Sequence, residues 1–217
     1  MSCDRLRAMK FLITAGPTRE PIDAVRYIAN RSSGQMGAAL AAAASEAGHS
    51  VTLIVGPVTA PMPPAARRID VETASQMRSA VLAQFPEHDV LIMAAAVADY
   101  RPKTVTTEKL ARGGPLTIEC EPTDDILAAA SRSKRAEQRT VGFSLEQAGN
   151  LDRSRQKLVR KNLDLIVYNP TNTMNSATID SVLLWPNGQT KPLGVLPKPE
   201  FARILIQQIL ALFPPAG

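Results

Sequence analysis

The residues of this chain best suited to chemistry sit in polar segments that follow short apolar runs. The longest such segment runs from Ala15 to Gly37 and ends in Asn30-Arg31-Ser32-Ser33-Gly34, just before an alanine-rich stretch. Two hydroxyls, backbone N–H groups and a glycine at the start of a helix make a site for an anion such as a phosphate. A serine helix cap gives the same pattern, so this segment alone leaves both readings open. A second segment, Met93-Ala94-Ala95-Ala96-Val97-Ala98-Asp99, offers small residues against which a flat ligand can lie. Its carboxylate can hold a ribose or a metal; tight helix–sheet packing, with Asp99 as a cap, is the alternative. Glu108-Lys109 lies in a polar loop with Gly113-Gly114, where a lysine is either solvated or able to close on phosphates. Lys157 and Lys161 share one helical face, a spacing that an ordinary solvated surface also shows.

Whether these segments meet depends on the elements between them. Lys10 to Thr14 reads as a buried strand ended by Gly16-Pro17, and Gly34 to Gly48 as a helix stopped by its glycine. Val51 to Val55 is a second strand, Pro61 to Pro64 a surface loop, Thr73 to Gln84 a helix, and Val90 to Ala95 a third strand. Leu116 to Cys120, Val141 to Phe143 and Leu165 to Tyr168 read as further strands, with helices over Asp124 to Arg132 and Asn150 to Asn162. Pro186-Asn187-Gly188 between Ser181–Trp185 and Thr190–Leu193 marks a hairpin, and Pro199 to Phe213 a closing amphipathic helix. Alternating strands and helices predict an α/β fold: one doubly wound, mostly parallel, Rossmann-like sheet with a late antiparallel hairpin, in a single domain over residues 1–217. In such sheets ligands bind beyond the carboxyl ends of the strands, where the segments after the first and third strands fall.

Composition narrows the function classes. Aromatics are 4% of the chain, too few for a surface that stacks bases, and the net charge of +5 is spread over helices and loops. That distribution suits small phosphorylated ligands and predicts no nucleic-acid partner. The two cysteines, Cys3 and Cys120, and the two histidines, His49 and His88, show no disulfide or zinc spacing. The apolar runs are too short for a signal sequence or a membrane span, so a cytoplasmic protein with no membrane partner is expected. A dinucleotide site would need GxGxxG tight against the first strand and an acid ending the second. This chain has Gly34-Gln35-Met36-Gly37 after a long loop, and Gly56-Pro57 where the acid belongs.

Together the segments resemble the phosphopantothenoylcysteine synthetase (phosphopantothenate–cysteine ligase) family of coenzyme A biosynthesis. The resemblance rests on ITAGPTREPID (Ile13 to Asp23), VRYIANRSSGQMG (Val25 to Gly37), AAVADYRP (Ala95 to Pro102), Glu108-Lys109, VGF (Val141 to Phe143) and QKLVRKNLDLIVYN (Gln156 to Asn169). It covers nearly the whole chain. It implies a ligase that activates the carboxylate of 4'-phosphopantothenate on a nucleoside triphosphate, releases pyrophosphate, and passes the acyl group to the amine of L-cysteine. It further implies that Gly16, Ser32, Ser33, Gly34, Met93, Ala94 and Ala95 line the nucleotide site, with Asp99 beside it. Asp124, Asp125, Ile126, Leu127 and Phe143 would lie near the base or ribose, and Lys157 and Lys161 would hold phosphates. Lys109 would neutralise the phosphorus under attack. Asn30 would bind the substrate carboxylate and then the acyl carbonyl, with Ala95 beside it. Mg²⁺ would accompany the triphosphate; its ligands are not given by the resemblance.

Three departures from the bacterial pattern bear on the nucleotide: Leu110-Ala111-Arg112 after the Glu-Lys pair, Gln35 in place of a basic residue, and Thr123 before Asp124-Asp125-Ile126. CTP is expected, with ATP the alternative. The resemblance also implies a homodimer, with the late hairpin as pairing edge. Met1 stands directly before the first strand, so a monofunctional chain served by a separate phosphopantothenoylcysteine decarboxylase is expected. An NAD(P)-dependent reductase and a non-catalytic nucleotide-binding module are the competing readings.

Overall fold

The structure is a computed structural model that describes residues 8–59, 61–64, 66–147, 149–171 and 176–214. Cys3 lies outside them. In chain order the first half comprises β1 (Lys10–Ala15), β2 (Arg19–Pro21), β3 (Tyr27–Ala29), α1 (Gln35–Glu46), β4 (Ser50–Val55), β5 (Arg67–Asp70), α2 (Ala74–Gln84) and β6 (Val90–Met93). The second half comprises β7 (Tyr100–Pro102), β8 (Cys120–Pro122), α3 (Ile126–Arg132), β9 (Arg139–Glu146), α4 (Leu151–Arg160), β10 (Leu165–Pro170), β11 (Thr178–Leu184), β12 (Thr190–Pro197) and α5 (Lys198–Leu210).

Eight strands form one sheet in the order β12-β11-β10-β9-β6-β1-β4-β5. The six from β10 to β5 run parallel, and β11 and β12 are antiparallel. Alternation along β1 shows why both faces are covered. Phe11, Ile13 and Ala15 pack with Leu40 of α1 and Phe201 and Leu205 of α5, while Leu12 packs on the other face with Met77, Val81, Ile126 and Leu158. A strand buried on both faces reads as a continuous apolar run, which is why β1, β4, β6 and β10 are visible in the sequence. The α/β sheet with a late hairpin is therefore as expected.

Chain order also places the site. From β1 the chain moves one way, to β4 and β5; from β6 it moves the other way, to β9 and β10. The loops after β1 and β6 part at this switch point, which is where a doubly wound sheet opens a crevice. They do not part at once: Ala96 N–H donates to the Gly16 carbonyl at 2.8 Å, and Ala98 N–H donates to Thr18 Oγ1 at 2.9 Å.

Three details differ from the sequence reading. Leu116 to Glu119 is not a strand; only Cys120–Pro122 pairs, with β7, in a two-stranded ribbon outside the main sheet. Leu116 is 56% exposed, so this apolar residue has no core face to hold it in a strand. The long first loop contains a ribbon of its own, β2 with β3. Arg67–Asp70 is a main-sheet edge strand without an apolar run; its Arg68 and Asp70 side chains pair with each other at 2.6 Å.

Candidate active site

Two cavities meet at the switch point. The smaller, about 210 Å³, is bounded by residues 31–37, Ala94 to Ala96, Phe143 and Leu145 of β9, Asn169 of β10, and Lys198 of α5. The larger, about 830 Å³, takes in Arg19, Tyr27, Asn30, Val58, Arg68 and Asp70. Arg31 and Ser32 line both, so this short stretch is the wall between them.

The start of α1 is built by glycine and not capped by serine. Gly34 occupies the cap position at φ 78°, and no side chain makes a capping bond there. Ser32 Oγ and Ser33 Oγ accept only long bonds, from the N–H groups of Gly34 (3.4 Å) and Gln35 (3.5 Å). Among the described residues, the Met36 and Gly37 N–H groups have no protein acceptor. A helix that begins this way presents donors and partial positive charge to whatever occupies the smaller cavity. Gly16, also left-handed at φ 79°, lies beside it: a side chain at Gly16 or Gly34 would meet Val58 Cγ1 at 2.5 or 2.7 Å.

Around this start the loops are tied down. Thr14 Oγ1 accepts from Ala95 N–H at 3.1 Å and donates to Met93 Sδ at 3.6 Å, which sets the bend after β6. Asn30 Nδ2 donates to the Val97 carbonyl at 2.8 Å. The buried Asp23 carboxylate accepts from the N–H groups of Val25, Arg26 and Leu110 and from the Arg26 guanidinium, which also reaches the Leu110 carbonyl at 2.8 Å. Burial alone would raise its pKa; these donors outweigh burial and hold it at about 2. Asp23 thus anchors the loop that carries Lys109.

Among the described residues no carboxylate lines the smaller cavity, and two cationic side chains do, Arg31 and Lys198. Such a cavity suits a polyanion, and the apolar floor of Ala94 to Ala96 and Phe143 suits a flat ring beside it.

The chain matches the family described as DNA/pantothenate metabolism flavoprotein C-terminal domain over residues 6–212. It belongs to that family. It is 43% identical over 216 residues to the coenzyme A biosynthesis bifunctional protein CoaBC of Escherichia coli (strain K12), covering 96% of this chain and 53% of that protein. Against CoaBC of Bacillus subtilis (strain 168) it is 39% identical over 218 residues, covering 98% and 53%. The chain thus spans about half the length of the curated relatives it matches. Among solved structures it resembles the C-terminal domain of CoaBC, with a TM-score of 0.83 and 36% identity over 96% of this chain and 97% of that one. A mutant of Cab2 in complex with phosphopantothenate-cysteine shares the fold, with a TM-score of 0.77 at 18% identity over 94% and 85%.

In this member of the family, Ser32, Ser33, Gly34, Ala94, Ala95 and Phe143 do come together in one cavity, with Asn30 in its neighbour and Met93 buried beneath. The remaining residues named from the sequence line neither cavity. Lys109 and Asp99 are exposed. Lys157 Nζ is engaged by Glu146 at 2.5 Å and Lys161 Nζ by Asp125 at 2.9 Å, so neither ammonium points free into a pocket. Asp125 caps α3 by accepting from Ala128 N–H, and Asp124 meets Arg78 at 3.4 Å. Ile126 and Leu127 put their side chains into the core, at 3% and 8% exposure, which leaves only backbone to offer a base.

Sequence reading missed Arg31, Asn169 and Lys198 as lining residues. Asn169 carried a signal, since it stands near the carboxyl end of a parallel strand; Lys198 carried none, because it opens the last helix.

Proposed function

We propose that the chain is a phosphopantothenate–cysteine ligase of coenzyme A biosynthesis that works through an acyl nucleotide, with CTP as the nucleotide. The observation that carries this reading is the shared wall of Arg31 and Ser32 between a cavity lined by cations, with no acid among its described lining residues, and a larger polar one. A nucleoside triphosphate in the smaller cavity brings its α-phosphorus to that wall. The acid, in the larger cavity, brings its carboxylate to the other side, where Asn30 stands. A carboxylate oxygen attacks the α-phosphorus and pyrophosphate leaves. The cysteine amine then attacks the acyl carbon, the nucleoside monophosphate leaves, and the amine loses a proton.

The residues support each part of this scheme. Donors at the start of α1 face charge that grows on the phosphates as the bond to pyrophosphate breaks. Asn30 keeps an N–H and Oδ1 beyond its bond to Val97 and carries no charge to repel the carboxylate. Lys109, on the loop anchored by Asp23, would close over the reacting phosphate. Lys157 and Lys161 would reach phosphates only by exchanging their carboxylate partners.

Among the described residues no group of three or more His, Cys, Asp or Glu could hold a metal. That fits Mg²⁺ arriving with the triphosphate, whose own oxygens supply its ligands along with water. The same reading includes a homodimer paired along β12, an edge strand on which Val195 is 68% exposed, and a cytoplasmic setting beside a phosphopantothenoylcysteine decarboxylase activity. No helix among the described residues is long and apolar enough to cross a membrane.

The test is pyrophosphate release that depends on phosphopantothenate, with CTP and ATP compared, and product that depends on cysteine. Orthophosphate as the sole phosphate product would point to acyl-phosphate activation and overturn the scheme. Higher turnover with ATP would overturn the choice of CTP alone.

A further inference from the structure

Lys198 is the first residue of α5 and stands in the smaller cavity with Arg31, Ser33, Gly34 and Phe143. Its position is unfavourable for the helix, because a cation in the first turn opposes the positive end of the helix dipole. It is also half-buried, and burial pushes its pKa down. Among the described residues its ammonium has no carboxylate within ion-pairing distance, and Glu200 in the same turn is exposed and does not reach it. Among the described residues its one polar contact is Gln35 Oε1 at 3.4 Å, a long bond to a neutral group. A half-buried cation with no described counter-charge, in a cavity with no acid among its described lining residues, is a place for an anionic ligand.

Gln35 also says which part of a ligand belongs there. It is the first residue of α1, so the Lys198 ammonium lies against the start of that helix. A triphosphate whose α-phosphorus lies at the Arg31–Ser32 wall, running along Ser33 to Gly37, ends beside Lys198. We propose that Lys198 binds the terminal phosphates of the nucleoside triphosphate and retains them as they leave as pyrophosphate. This rests on the nucleotide reading of the smaller cavity given above and adds a binding residue to it.

The experiment is titration calorimetry on the full chain with magnesium pyrophosphate and, separately, with CMP and AMP. Wild type, Lys198→Ala and Lys198→Arg are compared, with melting curves on the same preparations. Wild type should bind pyrophosphate. Lys198→Ala should weaken pyrophosphate about tenfold or more, as loss of one charge-assisted bond does, and leave the monophosphate within about twofold. Lys198→Arg should recover most of the loss. Unchanged pyrophosphate affinity in Lys198→Ala, or equal loss of pyrophosphate and monophosphate in a folded protein, would overturn the assignment. If wild type binds neither ligand, the nucleotide reading fails with it; if wild type binds both and forms product, only the role of Lys198 is at stake.

Discussion

The side-chain amide of Asn30 and the carbonyl of Val97 are joined by a 2.8 Å hydrogen bond. It ties the segment before α1 to the segment after β6, across the switch point of the sheet. Asn30→Asp removes the donor and puts a carboxylate against that carbonyl and against the incoming acid. We expect CTP–Mg²⁺ affinity within about tenfold of wild type and almost no phosphopantothenoylcysteine. The exposed site limits the stability loss to about 0.5–1.5 kcal/mol, the net worth of one such bond. Calorimetry, a melting curve and a product assay on one preparation check this. Normal product formation by a folded variant would remove Asn30 from the site.

Lys109 is exposed on the loop between β7 and β8. If it closes on the reacting phosphate, Lys109→Ala lowers turnover ~10²–10³-fold and changes nucleotide affinity far less. Steady-state rates set beside direct binding make the distinction. Near-normal turnover would mean that Lys109 is a solvated loop residue.

Asp23 holds that loop through Leu110, directly or by way of Arg26. Asp23→Asn keeps the size and removes the charge that collects these donors. Trypsin should then cut faster at Lys103, Lys109 and Arg112, and turnover should fall with little change in nucleotide affinity. In the double variant with Lys109→Ala the rate losses should not add, since both act through one loop. Full additivity would separate the anchor from Lys109.

Asp23 also predicts acid sensitivity. Its pKa in the fold is about 2, against an ordinary 3.8. The unfolded chain therefore binds this proton more readily, and the stabilisation from ionised Asp23 is complete above the unfolded value. It drains away as pH falls through the interval between them. Denaturant unfolding between about pH 5 and pH 2 should show a shallower loss of stability in Asp23→Asn than in wild type. Parallel curves would contradict the assignment.

Gly34→Ala adds a methyl group at φ 78°, 2.7 Å from Val58 Cγ1. The left-handed conformation costs about 1–2 kcal/mol for such a residue, apart from the clash. We expect lower stability and weaker nucleotide binding, because the donors of α1 turn with the cap. Val58→Ala in the same chain should return the steric part and leave the conformational part. A double-mutant cycle by thermal unfolding separates the two.

Much of the frame could be read along the chain. β1, β4, β6 and β10 are apolar runs because both of their faces are covered, and the helix expected from Thr73 is α2, whose start the structure closes with a reciprocal capping box between Thr73 and Gln76. The elements that escaped are those whose pairing is not driven by burial. β5 is Arg67-Arg68-Ile69-Asp70 at a sheet edge, and β7 with β8 forms a ribbon away from the core. Backbone pairing at an edge asks little of side chains, so it leaves little trace in residue type.

The site divides along the same line. Its local parts were determined by the sequence: a glycine and two serines before an alanine-rich helix, small residues after the third apolar strand, and an asparagine two positions before the first serine. Those features follow from short-range geometry, in which neighbours along the chain are neighbours in space. Only the tertiary structure decided which charges face the cavity. It set Lys157 against Glu146 and Lys161 against Asp125, and it brought Lys198 from the last helix to Gln35 at the start of the first. α1 and α5 pack side by side on one face of the sheet, far apart in sequence, and no periodicity in either helix records where the other will lie.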